Sequence, residues 1–284
     1  MTRSILLMDN NFYYTPAKMF QNMIEAEVTK AKLPTRKMIL LGILAGAFIA
    51  IGGAASNVAV HNISNVGLAR TLAGAIFPVG LMLVVLVGGE LFTGNCLMIM
   101  AYLDKKFPLS ALLRNLVTVY FSNLIGALAV DVLLFFSGQL NYTDGALGAY
   151  TIKVALTKSQ ISLTAAICSG ILCNILVCLA ILMAGTAKEI AGKLLAIFFP
   201  IWAFVICGFE HCIANMFYIP MGMLAASNPD YVTKANELYN ITSEQCSHLF
   251  SFGITKSFFF VTLGNILGGM LFVGVLFYSI HRDD

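Results

Sequence analysis

The sequence predicts an all-α integral membrane protein of six spans, arranged as an inverted three-plus-three repeat whose second and fifth helices are broken. Three observations carry that prediction. The 284 residues are 59% hydrophobic and only 11% charged, far below the roughly 25% charge of a water-facing domain. Apolar runs long enough to cross a bilayer recur six times along the chain. Two of those runs are too long for one crossing, and each is interrupted by a polar, glycine-marked segment.

A membrane-crossing helix needs about 20 apolar residues. Met38–Val60, Leu116–Ser137, Ile161–Ala184 and Ser257–Ile280 meet that length simply. Leu68–Leu103 and Gly192–Ala226 each cover about 35 residues, roughly 50 Å if continuous at 1.5 Å per residue. The first is interrupted over Gly88–Asn95 and the second over Gly208–Asn215. Domain boundaries follow: a cytoplasmic N-terminal segment 1–37, a first three-helix repeat 38–137, an extracellular linker 138–160, and a second repeat 161–284. Within the first segment, Met19, Phe20, Met23 and Ile24 fall on one side of an amphipathic helix over 14–32. The segment has no cleavable signal pattern.

Orientation is read from basic residues. With the N-terminus inside, the cytoplasmic segments hold 12 of the 17 Lys and Arg residues and the opposite side holds 5. Both termini are expected in the cytoplasm of a cell-membrane protein. The repeat is read from matched segments. Ala75-Ile76-Phe77-Pro78 answers Ala196-Ile197-Phe198-Phe199-Pro200, and Glu90/Asn95 answers Glu210/Asn215 at the same spacing. Asn123-Leu124-Ile125-Gly126-Ala127 answers Asn265-Ile266-Leu267-Gly268-Gly269. Three spans per half is an odd number, so the halves run in opposite senses across the bilayer, a hallmark of pores and transporters.

A broken helix at membrane depth must line a polar cavity or be buried in protein, because lipid satisfies no backbone group. Each second half-helix presents free N–H groups and a partial positive charge toward the centre, which favours anions over cations. Glu90 and Glu210 are read as acceptors for those free N–H groups. His211 is an ionisable residue in mid-span and so a candidate for the path itself. Thr93 holds a comparable place in the first break, and Asn174 is polar in the middle of the fourth span, facing either the path or a packing interface. Phe77, Leu81, Leu91, Phe92, Val177 and Phe204 are ordinary membrane residues by type. Asp131, in the third span, is unassigned.

Several classes are excluded. A net charge of +3 without a basic stripe argues against nucleic-acid binding. Six of the seven cysteines lie in apolar stretches, which suits packing rather than disulfides or a metal site. No His-Glu-x-x-His, Gly-x-Ser-x-Gly or cofactor motif is present, so neither an enzyme nor a cofactor is expected. An aquaporin proper would carry paired Asn-Pro-Ala at its breaks, and none exists. A proton-coupled formate/nitrite symporter and a neutral-solute channel of the ammonia or urea type remain as alternatives.

Gly89-Glu90-Leu91-Phe92-Thr93-Gly94-Asn95, together with Gly208-Phe209-Glu210-His211-Cys212-Ile213-Ala214-Asn215-Met216, resembles the formate/nitrite transporter family. The resemblance covers nearly the whole chain, and within the family it is greatest to the bacterial hydrosulfide channel. It implies an aquaporin-like protomer in a homopentamer, with a pore through each subunit for hydrosulfide, formate or nitrite. It also implies that His211 and Thr93 face one another at the pore centre, with Asn174 nearby. Leu91, Phe92 and Val177 would form the inner constriction and Phe77, Leu81 and Phe204 the outer one. Lys158 and Lys30 would stand in the outer and inner vestibules, with Lys32 competing for the latter place. Formate-conducting members often carry Ala-Asp before Leu-Phe-Thr, where this chain has Gly89-Glu90. Hydrosulfide is therefore the substrate expected first.

Overall fold

A computed structural model describes residues 13–251 and 253–282; the first twelve residues of the expected N-terminal segment lie outside them. Helix α1 (Pro16–Ala31) starts where Thr15 accepts from the Lys18 amide and proline occupies the first turn. The spans are α2 (Thr35–Val60), α3 (Val66–Gly88), α5 (Leu109–Phe136), α7 (Leu163–Thr186), α8 (Ile190–Cys207) and α12 (Phe258–His281). Two shorter apolar helices, α4 (Phe92–Leu103) and α9 (Cys212–Ala226), follow α3 and α8 directly. The two overlong runs are thus each divided into a long and a short helix. The third span begins earlier than its most apolar stretch suggests, because Pro108 sets the start of α5 and the helix already runs through Arg114.

Among the described residues, three further α-helices lie between the spans, the first of them within the segment read from sequence as a linker. Helix α6 (Ala146–Ser159) occupies most of 138–160 and begins at Gly145, whose φ of 80° needs no side chain. Its Leu147, Ile152 and Ala155 are buried against α9. Helix α10 (Pro229–Tyr239) is capped by Asn228 and packs Tyr231 and Ala235 inward; α11 (Ser243–Ser247) carries a capping box at Thr242 and Gln245.

The core repeats its packing. In each half the first and third spans, α2 with α5 and α7 with α12, pack against one another along their length. Both contacts rest on glycine. A methyl on Gly126 would overlap the Ile43 carbonyl, and one on Gly268 the Ile171 carbonyl, so these small residues permit backbone-to-backbone approach. Asp131 is fully buried in α5, with neither carboxylate oxygen in a hydrogen bond. The outward faces of the spans carry large apolar side chains such as Phe121, Leu133, Phe136 and Phe199, as a lipid-facing or subunit-facing surface requires.

Helix α1 is not free on a surface. Its Met19, Phe20, Met23 and Ile24 form a buried cluster with Leu97 and Met100 of α4, Leu182 of α7 and Val273 of α12. Arg114 of α5 donates to the carbonyls of Ala31 and Leu33 at 2.7 and 3.2 Å, fixing the end of α1. None of the seven cysteines is in a disulfide. Cys207 is exposed, whereas Cys212 is buried beside the second break.

Candidate functional site

The two breaks are built alike. Helix α3 ends at Gly88, whose φ of 101° is a left-handed conformation, and Gly89 to Leu91 run extended before α4 begins. Helix α8 ends at Gly208 with φ 72°, and Phe209 to His211 lead into α9. Each short helix therefore begins deep in the molecule with an amide that needs an acceptor. Asparagine from the third span of each half supplies it. The Phe92 N–H donates to Asn123 Oδ1 at 3.0 Å, and the Cys212 N–H to Asn265 Oδ1 at 2.8 Å. The same amides donate on their other side. Asn123 Nδ2 reaches the carbonyls of Gly42 and Glu90 at 2.8 and 2.9 Å. Asn265 Nδ2 reaches those of Gly170 and Glu210, also at 2.8 and 2.9 Å.

This arrangement corrects the role expected for the two glutamates. Their carboxylates accept from side chains, not from the free amides of the breaks. Asn95 Nδ2 donates to Glu90 Oε2 and Asn215 Nδ2 to Glu210 Oε2, both at 2.7 Å. The physical reason is geometric: Asn123 and Asn265 approach from a neighbouring span with an amide that both accepts from the freed N–H and donates to nearby carbonyls. Lys158, at the end of α6, adds a 3.0 Å ion pair to Glu210 Oε1.

The breaks meet at one contact. Thr93 Oγ1 lies 2.9 Å from His211 Nε2, across 118 residues of chain. The Ala214 N–H donates to His211 Nδ1 at 3.0 Å, so the ring caps α9. With Nδ1 an acceptor, the ring hydrogen sits on Nε2 and is shared with Thr93. Asn174 does not reach this contact with its side chain. Its Nδ2 donates to the carbonyls of Thr93 and Asn265 at 3.2 and 2.7 Å, tying the first break to α12.

Aromatic and aliphatic side chains surround the contact. Phe204 lies over the His211 ring with centroids 6.0 Å apart, and Phe77 meets Phe204 edge to face at 5.6 Å. Leu81, Leu91, Phe92 and Val177 are all buried; Phe92 packs edge to face on Tyr120 at 4.9 Å. On one side Phe77, Phe204 and His211 form the floor of a chamber of about 600 Å³. Its walls carry Arg70, Lys153 and Lys158, with Glu210 the carboxylate among them and tyrosines 150, 218 and 239 between. Lys153 sits over the Tyr239 ring at 4.3 Å, so α10, unseen in the sequence, forms part of the wall. Lys30 stands at the other end of the bundle, where its Nζ pairs with Glu27 at 3.0 Å.

Sequence reasoning missed Glu27, Arg70 and the bonding role of Asn123 and Asn265. The asparagines had a signal, since each stood at the head of a matched segment in its half. Glu27 had one too, since it continues the Met19, Met23 stripe at a spacing of four. Arg70 had none.

A family model described as formate/nitrite transporter matches residues 17–279. The chain is 40% identical to a probable formate transporter of Methanothermobacter thermautotrophicus over 279 residues, covering 90% of this chain and 92% of that protein. It is 35% identical to the formate channel FocA of Escherichia coli K12, covering 97% and 98%. Among solved structures, a pentameric formate channel with formate bound superposes with a TM-score of 0.76 at 32% identity, covering 87% of this chain and 98% of that one. An FNT family ion channel superposes at 0.79 with 26% identity, covering 93% and 98%.

Proposed function

Because this chain belongs to the formate/nitrite transporter family, we propose that it is a passive channel for small monovalent weak-acid anions, with formate the first candidate. The observation that carries the reading is the Thr93–His211 contact, which joins two broken helices beneath a cationic chamber closed by Phe77 and Phe204. A bare anion crossing an apolar ring meets a desolvation cost of several kcal/mol. Lysine and arginine at the mouth and the two helix N-termini offset part of it. Protonation of the solute removes most of the rest, so the anion gathers at the mouth and crosses the rings wholly or partly as its neutral acid. His211, with its hydrogen on Nε2, donates to the solute in place of Thr93 at the midpoint. Phe77, Leu81 and Phe204 form the constriction on the chamber side and Leu91, Phe92 and Val177 the one beyond.

The chamber side is taken as the outside, with both termini in the cytoplasm, on the 12-to-5 division of basic residues. Five copies around a central axis are supported by the pentameric neighbour and by the broad apolar outer faces of α2, α5 and α12. Hydrosulfide is the second reading, favoured by Gly89-Glu90 where formate-conducting members often carry Ala-Asp.

Stopped-flow flux into proteoliposomes, comparing formate, hydrosulfide, nitrite and chloride across about pH 5–8, tests the proposal. Rapid entry of the weak acids with little chloride is the expected result, and the fastest solute names the substrate. Passage of ammonia, urea or water but of no weak acid would overturn it, and uptake that stops when the proton gradient is collapsed would point to symport. A second outcome is expected at the mouth. Lys158→Gln should raise the outer half-saturation concentration about tenfold at low salt, shrinking as the Debye length falls below about 10 Å. An effect that is the same at 0.02 and 0.5 M salt (about a fivefold change in Debye length) would show that Lys158 acts through packing instead.

A further inference from the structure

The two mouths differ in how their lysine is held. Outside, Lys158 is paired with Glu210, the glutamate of the second break itself. Inside, Lys30 lies within electrostatic reach of Glu90, the matching glutamate, but its ion-pair partner is Glu27, one turn earlier on α1. Glu27 is 0% exposed, and while its Oε1 accepts from Lys30, its Oε2 has no hydrogen-bond partner. The inner group is thus one cation, Lys30, against two carboxylates, Glu27 and Glu90. The outer chamber has three cations, Arg70, Lys153 and Lys158, against Glu210.

Anchoring α1 does not explain this carboxylate. Residues 19, 20, 23 and 24 already dock the helix through apolar contacts, and another methionine at position 27 would extend that stripe without burying a charge. A half-satisfied buried carboxylate costs stability. What it does is occupy Lys30.

Resting on the anion-channel reading, we infer that Glu27 sets the anion affinity of the inner mouth by holding Lys30, and that a proton taken up by the Glu27 carboxylate releases the lysine's charge to the pore. The groups facing Glu27 are Lys30 on its own helix, Glu90 of the first break, and the thiols of Cys96 and Cys178 on α4 and α7. Arg114 of α5 is engaged by the α1 carbonyls, and His281 of α12 sits against Phe20. Burial pushes the Glu27 carboxyl above the usual range, with Lys30 pulling the other way. Above that raised value the carboxylate is ionised and Lys30 is masked; as inner pH falls through it, the mask is lost. A passive pore has one permeability in both directions at low concentration, so the effect lies in the inner half-saturation concentration rather than in net direction.

The test measures formate efflux from oriented proteoliposomes at rising inner formate, for the parent, Glu27→Gln and the double variant Glu27→Gln/Lys30→Gln. At inner pH 8, Glu27→Gln should lower the inner half-saturation about fivefold, the outer value should stay put, and the double variant should lose the gain. Parent and Glu27→Gln should converge as inner pH falls toward 5.5. A conducting Glu27→Gln protein whose inner half-saturation matches the parent at pH 8 overturns the inference. Acetylation of Lys30, followed by mass spectrometry on the full-length solubilised protein, gives a readout independent of flux. It should be several-fold faster in Glu27→Gln and slowed by added formate. If the parent conducts no weak acid, the channel reading falls, and an unchanged Lys30 acetylation rate then overturns the role of Glu27 as well.

Discussion

Replacing Asn265 with leucine is expected to abolish the folded protein. The side chain makes three hydrogen bonds: it accepts from the Cys212 N–H and donates to the carbonyls of Gly170 and Glu210. Leucine fills much the same space and makes none of them. Each buried group left unpaired costs about 1–3 kcal/mol, and lipid offers no replacement partner. The losses fall together on the start of α9, whose register carries His211. Asn123→Leu should behave in the same way, because it orphans the Phe92 N–H and the carbonyls of Gly42 and Glu90. Asn215→Leu removes only the bond to Glu210 Oε2, since its own Oδ1 is already unpartnered, and its effect should be clearly smaller. Thermal melting in detergent and the monodisperse fraction on gel filtration measure the order. A parent-like Asn265→Leu protein, or one more stable than Asn215→Leu, would show that the amide network does not hold the breaks.

These asparagines also mark how far the sequence can be read. The spans were legible because hydropathy is a sum over about 20 residues and survives any local detail. The breaks were legible because glycine, glutamate and histidine have no other reason to interrupt a 35-residue apolar run. Which group would satisfy the freed amides was not legible. Glu90 is near Leu91 and Phe92 in sequence, yet the acceptor for Phe92 comes from Asn123, 31 residues away on a different helix. Only the close packing of α2 on α5, permitted by Gly126, brings it there. Helix α10 escaped notice for a compositional reason. Pro229–Tyr239 is mostly polar, and only Tyr231 and Ala235, one turn apart, are buried. The competition between Lys30 and Lys32 could not be decided by spacing to the first span. What the structure adds is Glu27, three residues before Lys30, which gives that lysine a buried partner.

The second large effect is expected at His211, where two substitutions separate two roles. Leucine removes the cap on the Ala214 amide and the partner of Thr93 together, leaving the Thr93 hydroxyl at an otherwise apolar centre without the imidazole donor. A lost hydrogen bond to a charged partner is worth about 1.5–3 kcal/mol, so flux through His211→Leu should fall roughly ten- to a hundredfold. Asparagine keeps the cap, since it is among the best residues at a helix N-terminus, and its amide retains a donor. His211→Asn should therefore conduct within about tenfold of the parent. The pH profile decides what the ring does beyond donating. Nδ1 is committed to the Ala214 amide, so a second ring proton could be held only by breaking the cap of α9. On that geometry the proton that neutralises the solute travels with the solute. Flux should then rise as pH falls with the same slope in the parent and in His211→Asn. A slope that flattens in His211→Asn while flux persists would mean that the imidazole itself passes the proton, with the Ala214 cap opening in each cycle.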